Sequence, residues 1–438
     1  MGMHATAALG DAHAGAPSVS RAYAWSVFAL TFGLLLADYM SRQVLNAVFP
    51  LLKAEWLFTD TQLGSLSSVV SVMVGLLTFP FSILADRWGR VRSLVLMAVL
   101  WSFATLGCAV SANYGQMFAA RFFVGVGEAA YGSVGLAVVL SVFPAHLRAT
   151  LSGSFLAGGA FGSMLGMALS GIVAAHFGWR WSFATMAVFG LVLAAIYRLV
   201  VTERRLAPER ALASGGVARA ARPRFTPRGL ALALFASKSV VFAYLGCGVQ
   251  LILPGAMFAW LPSYLVRAYA MRIDQASVLA AAFVLTSGIG MITCGVLTDR
   301  ISRRNPARKW TMAVAYCVLV GVAMATAFHL PPGPLQLALI GIGMFLASGV
   351  CGPTGALVAE LTPSSIHATA MALWALANNL LGLAAGPVIA GMIADRMGLH
   401  VALEWIPFAA IGSALLFALG KRHYANDLAR IAAPQREP

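Results

Sequence analysis

The chain has 438 residues, of which 60% are hydrophobic and only 10% are charged, and its mean hydropathy is +0.82. An ordinary soluble domain carries about 25% charged residues, so this composition excludes one and indicates a membrane protein. The net charge of +15 would suit nucleic-acid binding, but the basic residues cluster in short loops and no nucleic-acid module is present. We therefore expect membrane lipids and a small-molecule or lipid substrate as partners, and no nucleic acid.

Twelve apolar stretches can cross a bilayer as helices, because a helical span needs about 20 apolar residues. In the first half they cover residues 22–49, 62–84, 93–111, 115–142, 150–175 and 181–201. In the second half they cover residues 239–266, 276–297, 310–329, 335–359, 366–393 and 401–420. The sequence thus predicts an all-α membrane protein with two six-helix bundles, over residues 22–201 and 239–420.

The remaining segments are a tail over residues 1–21, a linker over 202–238 and a tail over 421–438. The linker is rich in Arg, Ala, Gly and Pro, which is typical of a flexible connection, and its residues 229–238 predict a short surface helix. With the N-terminus inside, the cytoplasmic segments hold nearly all of the net positive charge. We expect both termini in the cytoplasm and a monomeric, multi-pass protein of a bacterial inner membrane.

A short charged motif recurs at the same place in each half of the chain. The loop after the second span reads LADRWGRVR, and the loop after the eighth reads GVLTDRISRR. This recurrence indicates an internal parallel repeat. We expect Asp86 and Asp299 to pair with arginines on neighbouring helix ends as a cytoplasmic latch, and Glu360 to pair with a loop arginine. The predicted cytoplasmic gate comprises Asp86, Arg87, Arg90, Asp299, Arg300 and Glu360.

Four ionisable residues lie inside apolar spans: Asp38 and Arg42 in the first, and Arg121 and Glu128 in the fourth. Such residues usually face a protein-lined cavity, pair with one another and serve transport or proton relay. Burial favours the protonated form of Glu128, whereas a nearby Arg42 favours its ionised form. We predict that Glu128 and Asp38 couple protons and that Arg42 and Arg121 bind an anionic solute. A structural ion pair between the two spans is the alternative, and Arg121 could simply snorkel to the interface.

Polar and aromatic side chains within the spans extend the predicted substrate site, because a buried amide needs a partner. These candidates are Tyr39, Asn46, Tyr131, Tyr244, Gln250, Trp260, Trp374, Asn378 and Asn379. Pro254, Pro353 and Pro387 predict bends within their spans, since proline removes a backbone hydrogen bond. The cysteines and histidines are scattered without metal-ligand spacing, so we expect no metal and no cofactor, with protons as the coupling ion.

The paired loop motif and the two sets of six spans together resemble the major facilitator superfamily over nearly the whole chain. Within it, ADYMSRQVL at 37–45, DTQLGSLSS at 60–68 and ARFFVGVGEAAYGS at 120–133 resemble the spinster-like branch. The resemblance implies two bundles around a central cavity, alternating access by rocking, and export of lysophospholipids or related lipid phosphates. Asp38 lies roughly one helical turn before the acid usual in that branch, and the signature also resembles organic-anion transporters.

These features predict a proton-coupled secondary active transporter for an anionic or amphipathic organic solute, such as a lysophospholipid or an organic acid. The alternative is a polyspecific drug/proton antiporter of the same fold, but the arginines within the spans argue against a cation site. A membrane enzyme or a non-transporting receptor is a third alternative. The sequence contains no nucleotide loop and no nucleophile–base spacing, so we expect no enzymatic activity.

Overall fold

The computed structural model of this chain describes residues 20–144, 147–203, 234–363 and 366–432. These residues contain twelve helices that are long and apolar enough to span a membrane, and they contain no strand. The spans are Arg21–Trp56, Asp60–Trp88, Arg90–Val110, Tyr114–Val142, Thr150–Phe177, Trp179–Val200, Lys238–Tyr269, Ile273–Ser302, Arg308–His329, Pro334–Glu360, Thr369–Met397 and Leu399–Arg430. The predicted fold class is therefore confirmed.

Several spans run past their predicted edges, because helices continue beyond the residues that hydropathy marks as apolar. The first span reaches Trp56, and the last helix, Phe408–Ala432, runs well into the predicted C-terminal tail. The second span begins at a capping box, in which the Thr59 side chain accepts the Gln62 N–H and the Gln62 side chain accepts the Thr59 N–H. The predicted N-terminal tail up to residue 19, linker residues 204–233 and residues 433–438 lie outside the described residues.

Helical hydrogen bonding is interrupted inside several spans. The helices that flank these interruptions are Tyr114–Glu128 and Tyr131–Val142, Lys238–Gln250 and Ile252–Tyr269, Pro334–Ala347 and Cys351–Glu360, His367–Ala377 and Ala385–Met397, and Leu399–Trp405 and Phe408–Ala432. Pro254, Pro353 and Pro387 each stand third in a resumed helix. Without an N–H, each proline leaves the carbonyl four residues earlier without its helical donor, which favours a break there. A π-helix over Asn378–Ala384 fills the interruption before Pro387.

The twelve spans alternate in direction, so both ends of the described chain lie at one end of the bundle, called here the termini end. The two halves meet most closely towards the opposite end. A Cβ at Gly64 would overlap the Pro387 carbonyl, and a Cβ at Gly391 would lie 2.5 Å from the Asp60 carbonyl oxygen. Glycine thus allows the second and eleventh spans to pack backbone against backbone. The placement of the termini end in the cytoplasm stays a prediction from the basic residues.

Candidate functional site

Three of the four predicted intramembrane charges meet between the first and fourth spans. The Arg42 Nε lies 2.8 Å from Glu128 Oε2 and 4.0 Å from Asp38 Oδ1. Ser41 donates a hydrogen bond of 2.8 Å to Glu128 Oε1. Asp38 and Glu128 are each 2% exposed, and both carboxyl groups face the Arg42 guanidinium. The structure therefore brings two carboxyl groups and one guanidinium into a single cluster.

Arg121 occupies a separate site beside this cluster, and it does not snorkel. Its side chain is 1% exposed, and its guanidinium donates to the backbone carbonyls of Leu66 at 3.3 Å, Ser41 at 3.5 Å and Arg42 at 3.5 Å. These carbonyls belong to the first and second spans, so Arg121 joins three helices. The snorkelling alternative is wrong, because the side chain points into the bundle and finds its acceptors there.

Two glycines near Glu128 set how closely the fourth span packs on its neighbours. A Cβ at Gly125 would lie 2.8 Å from the Met73 side chain, and one at Gly127 would lie 2.6 Å from the Trp101 backbone nitrogen. The two glycines therefore let the fourth span approach the second and third spans closely. The helix is interrupted directly after Glu128, and Thr78 of the second span donates to the free carbonyl of Ala129.

A polar pocket of about 120 Å³ adjoins the charged cluster and is shared by both halves. Its lining comprises Tyr39, Arg42, Gln43, Ser67, Val70, Ser71, Arg121, Ser163, Gly255, Phe258, Leu383 and Pro387. The Arg42 guanidinium also lies over the Tyr39 ring at 5.2 Å. A second, largely apolar cavity of about 250 Å³ lies further towards the termini end, between the second and eleventh spans. It includes Gly75, Phe79, Leu376 and Asn379.

Other predicted site residues in the first half divide between pocket and core. Asn46 is buried in a polar chain, since it donates to Gln43 at 2.9 Å and accepts from Ser67 at 3.1 Å. Both of its partners line the pocket. Tyr131 does not face the pocket: it is fully buried, and its hydroxyl donates to the Thr31 carbonyl at 3.0 Å. The prediction for Tyr131 is wrong, because its ring packs in the hydrophobic core, past the point where the helix is interrupted.

The predicted residues of the second half lie near the interrupted spans. Gln250 is fully buried and donates to the Ala347 carbonyl at 3.4 Å. Asn379 lines the apolar cavity, and its side-chain amide donates a hydrogen bond to the Ala375 carbonyl. Tyr244 Oη, Trp374 Nε1 and Asn378 Oδ1 have no hydrogen-bond partner within the described ranges. Trp260 lies elsewhere, packed on Phe49 at 5.1 Å towards the end opposite the termini. Its predicted place in the substrate site is wrong for this arrangement of the helices.

The predicted cytoplasmic gate does not join the two halves. Asp86 pairs with Arg90 at 2.9 Å, and both belong to the first half. Glu360 pairs with Lys309 at 2.8 Å instead of with an arginine, and it also accepts a hydrogen bond from Tyr424. Arg87, Asp299 and Arg300 are exposed and form no ion pair with another described residue. The predicted pairing with a neighbouring helix end is thus found for Asp86 but, among the described residues, not for Asp299, and no ion pair joins the halves at the described part of the termini end.

An ion-pair network that sequence reasoning missed closes the end opposite the termini. The guanidinium of Arg267 in the seventh span donates two hydrogen bonds to the Asp60 carboxylate of the second span, with N–O distances of 2.9 and 3.1 Å. Lys53 binds the same carboxylate at 2.6 Å. Asp395 of the eleventh span accepts the backbone N–H groups of Asp60 and Thr61 at 2.6 and 2.9 Å. Charged residues at span ends on the predicted outer side were the available signal for these contacts.

Metal-ligating side chains do not gather in this chain as far as it is described. No group of three or more His, Cys, Asp or Glu residues that could hold a metal is found there. The groups that the arrangement does bring together are two carboxyl groups, one guanidinium and a pocket reached by both halves.

Comparison with known proteins places this geometry in a family. The profile of the Major Facilitator Superfamily matches residues 31–387 and 274–434. The chain is 26% identical to a protein named probable L-galactonate transporter of Escherichia coli (strain K12), over 91% of this chain and 89% of that one. It is 26% identical to the gallate transporter of Pseudomonas putida, over 94% of each chain. It is 25% identical to the sphingosine-1-phosphate transporter SPNS2 of Danio rerio, over 88% of this chain and 79% of the relative.

A solved structure has the same arrangement of helices. It is the crystal structure of a bacterial homologue of the human lysosomal transporter spinster, in an inward-facing and unoccupied conformation. It superposes with a TM-score of 0.81 at 18% identity, over 93% of this chain and 99% of that chain. In this chain, the described hydrogen bonds between the halves lie from mid-bundle to the end opposite the termini. This chain belongs to the Major Facilitator Superfamily, as a multi-pass membrane transporter that resembles the spinster branch.

Proposed function

We propose that this transporter couples protons to the movement of an organic anion by alternating access. The observation that carries the proposal is the position of Arg42, 2.8 Å from Glu128 and on the wall of a pocket that both halves share. Because Arg42 faces both groups, it can bind either Glu128 or the anionic group of a solute. Protonation of the carboxyl pair decides between the two.

Charge balance links the proton to the solute. With Asp38, Glu128 and Arg42 of the cluster and the neighbouring Arg121 all ionised, these four groups sum to zero charge, and an anion gains little from entering the pocket. One proton on the carboxyl pair leaves a net positive charge beside the pocket. Proton binding and anion binding then favour each other, and such coupling is reciprocal. Asp38 and Glu128 suit this role, because both are buried and both face Arg42, so one proton on either carboxyl group changes the charge around that guanidinium.

The shape of the site supports an acid with an organic body. The polar pocket of about 120 Å³ offers Arg42 to a carboxylate or phosphate, and the buried Arg121 adds its positive charge to the wall. The apolar cavity of about 250 Å³ along the same two spans offers room for a ring or a chain. Relatives named for galactonate, gallate and sphingosine-1-phosphate share this chemistry, an anionic group on an organic body. Lysophospholipids and organic acids therefore both remain within the proposal.

A polyspecific drug/proton antiporter is the second candidate, and one observation favours it. The cavity between the second and eleventh spans is mostly apolar, which would suit a hydrophobic drug. The pocket above it presents two arginines, and a guanidinium pair repels the cationic drugs that such an antiporter takes.

We also propose a cytoplasmic termini end, a bacterial inner membrane, a monomer, and transport without an enzymatic reaction.

The proposal is tested by reconstituting the full chain into liposomes and imposing a pH gradient. Galactonate, gallate and a lysophospholipid serve as candidate solutes, and solute uptake and internal pH are measured together. We expect gradient-driven accumulation of at least one acid and its loss in Glu128→Gln, with counterflow exchange retained. Glu55→Gln, which removes a carboxylate paired with Arg180 at the protein surface, is the matched control. Accumulation that persists in Glu128→Gln would falsify the proton role.

A further inference from the structure

A basic groove lies at the termini end of the second half, away from the charged cluster and the two cavities. Its volume is about 500 Å³. It is lined by Arg300, Ile301, Arg303, Arg304 and Arg308. The groove follows the turn between the eighth and ninth spans, so it lies where one pair of neighbouring helices leaves the membrane.

The positive charge of this groove is not neutralised by the described residues. None of its arginine side chains forms an ion pair or hydrogen bond with another described residue. The nearby carboxylate of Glu360 is taken by Lys309 and Tyr424. Residues 204–233 of the linker contain seven arginines and a single glutamate, so their composition offers little compensation. Like charges gathered in one groove repel each other, and a bound anion would relieve that repulsion.

In the equivalent loop of the first half, one arginine is paired with a carboxylate of the same loop. There Arg90 pairs with Asp86 at 2.9 Å, and Glu203 accepts the N–H of Val91 at 2.7 Å. In the second half Asp299 stands at the position of Asp86 in the repeated motif, but no described arginine pairs with it. The aspartate of the repeated motif is therefore paired with an arginine in the first half, but not with a described arginine in the second.

A stripe of exposed apolar side chains runs along the eighth span and ends at this groove. Ile289, Val296 and Leu297 are 51%, 47% and 45% exposed in the absence of a bilayer. Arg300 follows Val296 by four residues and Leu297 by three, so it continues the same face of the helix. A stripe of this kind on a membrane span is one that acyl chains cover. The arginines thus lie at the headgroup level of the adjacent lipids.

We propose that this groove binds the phosphate group of an anionic membrane phospholipid, whose acyl chains lie along the exposed stripe of the eighth span. Guanidinium groups bind phosphate through paired hydrogen bonds, and several arginines can share one phosphate diester. Basic pockets at the ends of membrane helices are suited to such headgroups. A free phosphate ester shares this chemistry, but it would leave the apolar stripe without a role. The inference does not depend on the identity of the transported solute.

The test is native mass spectrometry of the full chain in detergent, with phosphatidylglycerol or phosphatidylcholine added. We expect the protein to retain phosphatidylglycerol in preference to phosphatidylcholine. Arg300→Gln combined with Arg304→Gln should weaken that retention about thirtyfold. Lys421→Gln combined with Arg422→Gln removes the same charge at the same end of the bundle but outside the groove. This control should retain phosphatidylglycerol as the unmodified protein does.

Three results would overturn the proposal. They are an unmodified protein with no preference for phosphatidylglycerol, equal losses in the two double variants, and displacement of the lipid by water-soluble glycerol 3-phosphate at matched concentration. The first result needs no variant, so the test stands even if a variant fails to fold. Melting temperatures of both double variants should match that of the unmodified protein, because the substituted side chains are exposed.

Discussion

At the scale of single residues, two buried arginines satisfy their charges in different ways. Arg121 donates to three backbone carbonyls, which are part of the helices and cannot leave. Arg42 instead faces the Glu128 carboxylate and the Tyr39 ring, and its side chain is 18% exposed. The exposed fraction opens into the pocket. Arg121 therefore holds the first, second and fourth spans together, whereas Arg42 is the guanidinium that can exchange its partner.

Replacing Arg42 with Gln should lower the affinity for the transported anion about tenfold to a hundredfold, because a hydrogen-bonded charge is lost from the pocket. Binding is measured by the shift in melting temperature over a range of acid concentrations. Arg42→Lys keeps the charge but not the fork of donors, and we expect an intermediate affinity. Arg180→Gln, on the surface pair with Glu55, is the control and should bind normally. Unchanged affinity in Arg42→Gln would remove the anion-binding role.

At the scale of elements, the fourth span shows how a charged residue is placed by its neighbours. Two glycines bring the helix against the second and third spans, and the interruption after Glu128 is closed by Thr78 from the second span. The tenth span, its counterpart in the second half, is interrupted between Ala347 and Cys351. There the buried polar group near the interruption is the amide of Gln250. The interruption is therefore present in both halves, but the carboxyl group beside it, that of Glu128, belongs to the first half.

Replacing Gly127 with Ala should destabilise the protein by about 1–3 kcal/mol, because the new methyl group would overlap the Trp101 backbone. Gly132→Ala is the matched control, since a Cβ there would meet nothing within 4 Å. That control should be neutral or slightly stabilising, because alanine favours helix over glycine. The comparison is made by thermal unfolding in detergent. Equal melting temperatures for the two variants would contradict the close approach described for the fourth span.

At the scale of the whole molecule, the described hydrogen bonds and ion pairs between the halves lie from mid-bundle to the end opposite the termini. Ser68 donates to the Ala384 carbonyl near the middle, and Asp60 receives Arg267 beyond it. The described residues at the termini end make their ion pairs within one half. Alternating access requires the cross-half contacts to break, so the Asp60–Arg267 pair opposes opening at the end where it lies.

Replacing Arg267 with Gln should shift the population towards opening at that end about fivefold, the effect of roughly 1 kcal/mol for a partly exposed ion pair. Spin labels at Phe177 and Met397, exposed residues of the two halves, report the separation by pulsed electron resonance. We expect a longer-distance population to grow. Arg272→Gln breaks a pair with Asp274 inside one half and should leave the distances unchanged. Identical distance distributions in the two variants would count against the closure role.

Several features of the site were predictable from the sequence because they depend on local composition or on helical spacing. The positions of the spans follow from hydropathy, and Asp38 and Arg42 share a face because four residues separate them. That Glu128 of the fourth span approaches Arg42 of the first span was a hypothesis about how these two spans pack. The carbonyl partners of Arg121 were not predictable, because each backbone carbonyl in a span looks alike in the sequence. The predicted places of Trp260 and Tyr131 in the substrate site were wrong for a related reason. The type of a residue does not reveal which way its side chain points from the helix.

The sequence by itself determined that this chain spans a membrane with two repeated sets of six helices and that four charges are buried within them. It could do so because the free energy of transferring a segment into lipid depends on the residues of that segment. Only the tertiary structure decided that Arg42 meets Glu128, that Arg121 is held by carbonyls, and that Asp60 and Arg267 close the bundle. These contacts join residues distant in the chain, and the packing of the helices sets their distances.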